Sequence, residues 1–441
     1  MQKTVGILFL FMISCSLEPS SDWPEFPQNQ GVWDFVSLFG GTSEDIAHAV
    51  IATQDGGYAI LGNTSSSDGD FDFKNTTDSD IFLLKFSASH QLQWKQTYGG
   101  TDDDRGHGLI ELSEGGFALV GYSRSSDGDA SNNQGQHDNW VLVVDAQGAL
   151  MWERSYGFAG HDHAFNIIET ADGNLFFNGY LDVTASNGLG NEKKLNASST
   201  RHGVGEFWCH KIDKKGQILW RRYFGGTNND RSYDAIETSD GNFLLVGVSE
   251  SQDVDISSPH GSYDIWVVKM DQNGTLLWEK SIGGSGYDIA YSVLENQDGN
   301  YMLLGQSDST NGDVQRTLGN SDFLLTTLTP GGKIIRMNNL GTTAFDSGQA
   351  LLQTSTGALF AVGHTADRDG TPLANDLLLL RCHRQGDALA EYRLSGSGLE
   401  IGYDLAVLKD GSLLVVGESS SNDGDFSGAH GDKDILLAHW Y

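Results

Sequence analysis

Apolar residues along this chain come in short bursts that stop at a glycine or a polar turn. YAILG, FALVG, LFFNG, FLLVG, YMLLG, LFAVG and LLVVG recur roughly every sixty residues. Each follows a turn: DGG at Asp55, EGG at Glu114, DGN at Asp172, Asp240 and Asp298, TGA at Thr356, DGS at Asp410. A long polar stretch comes next, and an acid then opens a second burst: DIFLLK, DNWVLV, EFWCHK, DIWVVK, DFLLTT, DLLLLR and DILLAH. A turn such as DKKGQ or DQNGT leads into a Trp segment (WKQTYGG, WERSYG, WRRYFGG, WEKSIGG). An acid just after the GG opens the next copy. These runs are too short for globular helices and carry no sustained helical period. Asp-Gly and Gly-Gly between paired runs favour tight hairpins.

Four antiparallel strands per copy, repeated seven times, predict an all-β fold, a seven-bladed β-propeller over 31–441. The last copy ends at DILLAHWY and lacks its Trp strand, whereas an unpaired FVSLFGG (Phe35–Gly41) precedes the first copy. The N-terminal strand is therefore expected to complete blade 7, closing the ring and removing an exposed edge.

The stretch YFGGTNNDRSYDAIETSDGNFLLVG…YDIWVVKMDQNGTLLWEKSIGG resembles the bacterial seven-bladed β-propeller repeat family of secreted and surface proteins. The resemblance covers 31–441. It implies the fold and leaves the function open, because such repeats carry many roles. Blades 5 and 6 drift most, with Arg336 and then Glu391–Tyr392 where other copies have Trp.

The first thirty residues stand apart. Met1–Lys3 is a basic start, Val5–Ile13 is an apolar run too short to span a bilayer, and Ser14 precedes Cys15. MISC resembles the bacterial lipobox. That implies a signal peptide over 1–14, cleavage before Cys15 and lipid on its thiol and amine. Residues 15–30, with Pro19, Pro24 and Pro27, read as an extended tether reaching up to roughly 50 Å. Glu18, Asp22 and Glu25 resemble the surface-export signal of Bacteroidota lipoproteins. The expected location is the bacterial outer membrane, on its periplasmic or cell-surface side, with membrane contact through the lipid alone.

A net charge of −32 repels nucleic-acid phosphates, so no nucleic-acid partner is expected. Cys209 and Cys382 lie far apart in the repeat series and read as buried free thiols.

The hairpin turns fall on one face of the ring. The GG-to-acid loops and the long polar loops fall on the other, the loop face, where binding usually resides. Two acid columns run round the ring. One is Asp45, Asp104, Asp162, Asp230, Asp288, Asp346 and Glu400. The other is Asp80, Asp138, Glu206, Asp264, Asp322, Asp376 and Asp434. They read either as acceptors for turn N–H groups or, for the first column, as an acidic rim that collects cations at the channel. Six long loops carry an Asp-Gly-Asp-like motif. Asp68, Asp70, Asp127, Asp129, Asp423 and Asp425 are the candidate calcium ligands among them; an Asx-type turn is the competing reading. No cofactor is required.

Blade 3 departs from this pattern. Its long loop, 181–205, places Lys193, Lys194, Arg201 and His202 as a basic insert and candidate partner contact. His48 and His107 share a column with Tyr233, Tyr291 and Tyr403 and read as aromatic packing, whereas His161 and His163 flank Asp162 and are candidate transition-metal ligands. The Trp columns (Trp94, Trp152, Trp220, Trp278; Trp140, Trp208, Trp266) read as inter-blade packing. The function expected is a non-enzymatic lipoprotein scaffold that binds an envelope protein complex or a glycan through its loop face. The alternative is a polysaccharide hydrolase or lyase with paired carboxylates there.

Overall fold

The middle two strands of each blade are apolar at nearly every position because neighbouring blades cover both their faces. Tyr58–Thr64 and Asp80–Phe86 of blade 1 are buried along their whole length. The outermost strand, Leu92–Tyr98, is largely exposed at its start. The computed structural model describes residues 31–193, 202–366 and 374–441. Over these the chain forms seven four-stranded antiparallel sheets, with strands in sequential order within blades 1–6. The seventh sheet is completed by the N-terminal strand Trp33–Phe39, which pairs antiparallel with the last strand, Asp434–Trp440, from Trp33↔Trp440 to Phe39↔Ile435. The ring is therefore a seven-bladed β-propeller closed by a strand from the opposite end of the sequence.

Blades pack through aromatic and aliphatic clusters that each span two neighbours. Trp140, Trp208 and Trp266 are fully buried in third strands. On the outer strands, Trp220 sends its Nε1–H to the carbonyl of Gln272 in the next blade, at 3.0 Å. Both Trp columns are thus packing elements. On the turn face, the third-strand lysines Lys85, Lys211 and Lys269 pair with the hairpin acids Asp55, Asp172 and Asp240 at 2.9, 2.6 and 3.0 Å. Burial pushes the Asp55 carboxyl up, but the Thr53 hydroxyl, Lys85 and the Gly57 N–H outweigh it and hold it at about 2. Cys209 and Cys382 are free and buried.

Every innermost strand carries a β-bulge at one position. The register shifts fall at His48, His107, Phe165, Tyr233, Tyr291, Gln349 and Tyr403. A bulge adds a residue to one strand and re-aims its side chain. Here it sends one large side chain per blade into the central channel. Neighbouring rings touch from Tyr403 through His48, His107, Phe165 and Tyr233 to Tyr291, with centroids 4.7–5.3 Å apart. Gln349 takes the seventh place. The result is an aromatic collar that constricts the channel.

Deleting residues 31–41 leaves the Asp434–Trp440 strand as an open edge. The expected outcome is a melting temperature lower by roughly 10 °C or more, with self-association in sedimentation. An unchanged melting curve would show that the ring does not depend on this strand.

Candidate functional site

Blades meet at the loop face through a recurring joint, well seen between blades 4 and 5. The backbone N–H of Asp288, at the head of the blade 5 inner strand, donates to the carbonyl of Tyr263 in blade 4 at 3.0 Å. Equivalent bonds join Asp45 to Lys433, Asp104 to Ser79, Asp162 to His137, and Asp346 to Ser321. The Asp288 carboxylate meanwhile accepts the Gly284 N–H (2.8 Å) and the hydroxyls of Ser309 (2.7 Å) and Ser307. On the other side of the joint, Asp264 accepts the N–H of His260 at 2.7 Å. A Cβ on Gly283 would lie 2.5 Å from Asp264 Oδ1 and 2.6 Å from Asp288 Oδ2, so the GG signature marks backbone squeezed between two carboxylates.

The acid columns are therefore structural. Asp45, Asp104, Asp162, Asp230, Asp288, Asp346 and Glu400 are buried, each at 0% exposure. They do not form the acidic rim expected at the channel, because each turns its carboxylate inward onto the loops of its own blade. Burial raises their pKa values above the ordinary carboxylate range, to about 6 for Asp230 and Glu400. The second column is buried as well, and there Asp138, Asp264 and Asp434 each keep one oxygen without a hydrogen-bond partner.

The long loops are tied to the same joint. In blade 1, both oxygens of Asp68 accept from Thr42, from its N–H at 2.8 Å and its hydroxyl at 2.9 Å; Asp70 accepts the Gly40 N–H at 3.0 Å. Asp127 and Asp129 do the same for Thr101 and Gly99, and Asp423 and Asp425 for Ser397 and Ser395. A cation in these loops would have to displace those bonds. An apolar residue follows the second acid and anchors the loop in the core: Phe71, Ala130, Ile256, Val314 and Phe426 are all buried. The middle residue must be left-handed. Gly69 has φ +59°, and a Cβ there would meet the Gly40 carbonyl oxygen at 2.3 Å. Val254 holds the same conformation (φ 60°) despite its β-branch.

The basic insert of blade 3 is only partly a surface. His202 is buried beside Glu206, with its Nδ1 3.3 Å from the carboxylate, and so is not the partner contact expected of it. Lys193 reaches the Thr275 hydroxyl at 2.5 Å in the next blade. Lys194 and Arg201, like Cys15 and the tether, lie outside the described residues.

What differs from joint to joint is the pair of side chains on the parallel β-bridge where two blades meet. Glu44 faces Lys433, with an ion pair at 3.1 Å. Tyr263 faces Tyr287, with ring centroids 4.8 Å apart, and Ser321 faces Phe345. At the joint of blades 2 and 3, His137 faces His161, and the first residue of the adjoining inner strand is His163. His137 Nδ1 lies 3.0 Å from both His163 Nε2 and His161 Nδ1. Sequence reasoning singled out His161 and His163 but not His137. The available signal was that complementary side chains occupy these two columns in neighbouring copies, Glu with Lys, Tyr with Tyr and His with His.

An open cleft of about 350 Å³ lies on the loop face between blades 1 and 2, lined by residues including Phe73, Lys74, Asp80, Thr101 and Asp127. Its acids are engaged: Asp80 pairs with Lys74 at 3.3 Å, and Asp127 accepts from Thr101.

No known family profile matches the chain. Over 235 residues it is 23% identical to the regulatory protein FlaEY of Caulobacter vibrioides, a match that spans 49% of this chain and only 23% of that one. Among solved structures, the WD40 domain of Neurospora crassa Pan2 aligns at a TM-score of 0.48, with 8% identity over 92% of this chain and 94% of that chain. BamB from Moraxella catarrhalis aligns at 0.40, with 12% identity over 91% and 85%.

Two predictions follow from the loops and the joint. Val254→Gly removes a left-handed valine that is exposed, and should stabilise the fold by about 1 kcal/mol, while Gly69→Ala should destabilise it by about 1–3 kcal/mol; chemical denaturation reads both. Burial raises the Asp264 carboxyl above its ordinary value, so between the unfolded and folded values the folded chain holds a proton there that the unfolded chain has lost, and this group's contribution to stability falls as pH rises through that interval. Asp264→Asn keeps an acceptor for His260 and does not titrate. Its melting temperature relative to wild type should increase between about pH 4 and pH 8; a difference flat with pH would contradict the assignment.

Proposed function

We propose that this protein is a non-enzymatic binding scaffold that presents its loop face to an envelope protein or a glycan, held on a bacterial outer membrane by lipid on Cys15. The observation that carries the binding half is how the loop-face carboxylates are used. The acids of the repeat are buried in the joints or hydrogen-bonded to neighbouring loops. Those nearest the collar, Asp234 and Asp404, accept the Val293 and Val50 N–H groups of adjacent blades, each at 2.8 Å. A hydrolase or lyase would need two convergent carboxylates open to substrate. The side chains left for recognition are the non-repeated ones at the joints, mounted on a rigid ring. The membrane half rests on the sequence alone, on the lipobox-like Ser14–Cys15 and the acidic, Pro-containing stretch after it.

Both halves are open to test. Wild type should fractionate with outer membranes and Cys15→Ala should not; globomycin-insensitive processing would overturn the lipid anchor. Crosslinking from detergent-solubilised membranes should recover a partner or glycan, and Tyr263→Ala/Tyr287→Ala should reduce that recovery several-fold, while Lys409→Ala on the turn face leaves it unchanged. Turnover of a polysaccharide by the purified protein would overturn the scaffold reading.

A further inference from the structure

The joint of blades 2 and 3 concentrates three imidazoles where other joints hold an ion pair or a pair of rings. His137, His161 and His163 each offer a ring nitrogen, and the three nitrogens lie within 4.8 Å of one another. Backbone fixes all three. His137 and His161 sit opposite each other on the inter-blade bridge, and the Asp162 N–H between His161 and His163 donates to the His137 carbonyl at 2.8 Å. The His163 ring is clamped between Tyr122, stacked at 3.9 Å, and Tyr180 at 4.8 Å.

Protons alone do not satisfy this geometry. A neutral imidazole has one N–H and one lone pair. His137 Nδ1 makes two contacts of 3.0 Å, to His163 Nε2 and to His161 Nδ1. If it carries the proton, it can donate to one of them. If it is bare, its single lone pair can accept well from only one. A cation set among three lone pairs satisfies all three. Tetrahedral zinc with Zn–N bonds of about 2.0–2.1 Å holds its nitrogens about 3.3 Å apart; the two pairs made by His137 are near that spacing at 3.0 Å, and the His161–His163 pair, within 4.8 Å, closes toward it as the exposed His161 ring turns.

We infer that His137, His161 and His163 form a binding site for one divalent transition-metal ion, with zinc as its reference occupant. Three imidazoles and no carboxylate suit zinc, copper, nickel or cobalt and disfavour calcium and magnesium. His161 is exposed, so the fourth coordination position opens to solvent at the loop face, where an exogenous ligand can enter. The inference does not depend on the scaffold reading: a metal can bind here whether or not a partner does.

The experiment uses the full chain, purified in detergent without a polyhistidine tag and stripped with chelator. Millimolar calcium in the buffer occupies the acidic surface. Titration calorimetry with zinc should give one ion per chain, and cobalt should give the visible absorption of a nitrogen-ligated ion. His161→Gln, a change at an exposed position, and His137→Gln should each weaken zinc binding by roughly tenfold or more and abolish the cobalt spectrum. His383→Gln, an exposed histidine on a blade 6 turn, should leave both unchanged. No zinc uptake by wild type, or equal affinity in wild type and His161→Gln, would overturn the site.

Discussion

The structure depends on a buried acid at the head of each inner strand. Its backbone N–H reaches across to the previous blade, and its carboxylate gathers the loop that has just arrived from there. A carboxylate out of water is costly unless its lone pairs are filled. Asp288 fills them with one glycine N–H and two serine hydroxyls, which fixes the GG loop, the end of the second strand and the long loop in one place. The glycine between the two acid columns, the serines at fixed spacing and the Asp-Gly-Asp clips all serve that one joint.

The fold was readable because its physics is periodic. Middle strands covered on both faces must be apolar throughout, and hairpins must turn at glycine, so strand number and blade count could be taken from the sequence. Strand closure was readable from the mismatch of the two ends. The burial of the acids was not. A column of aspartates looks the same whether it faces solvent or the neighbouring glycine, and the distinguishing feature, serine nineteen and twenty-one residues later in Asp288's blade, is easily read as loop composition. The collar was half visible: the aromatic column was plain, but the bulge that aims it into the channel breaks the simple two-residue alternation and leaves no residue signature. His137 escaped because its partner lies across a blade boundary, and periodicity within a blade does not give the register between blades. Val254 shows the converse, a loop conformation that persists where its usual glycine is absent.

Repetition and individuality are thus separated in space. Positions that recur hold the ring together. The bridge pairs do not recur, and they surround the mouth of a channel that the collar narrows below. At five of the seven joints an inter-blade bridge brings two side chains from different blades face to face on fixed backbone, directly above the hydrogen bonds of the joint.

The closing strand also determines how the ring would hang. Third strands run from the loop face to the turn face, so Trp440 lies at the turn face, and Trp33, paired with it, begins there too. Val32 and Tyr441 exchange backbone hydrogen bonds at that same edge. Anything that grips the protein by residues ahead of Gly31 holds it from the rim of its turn face. Strand polarity thus sets the point of attachment at the end of the ring opposite the loop face and its joints.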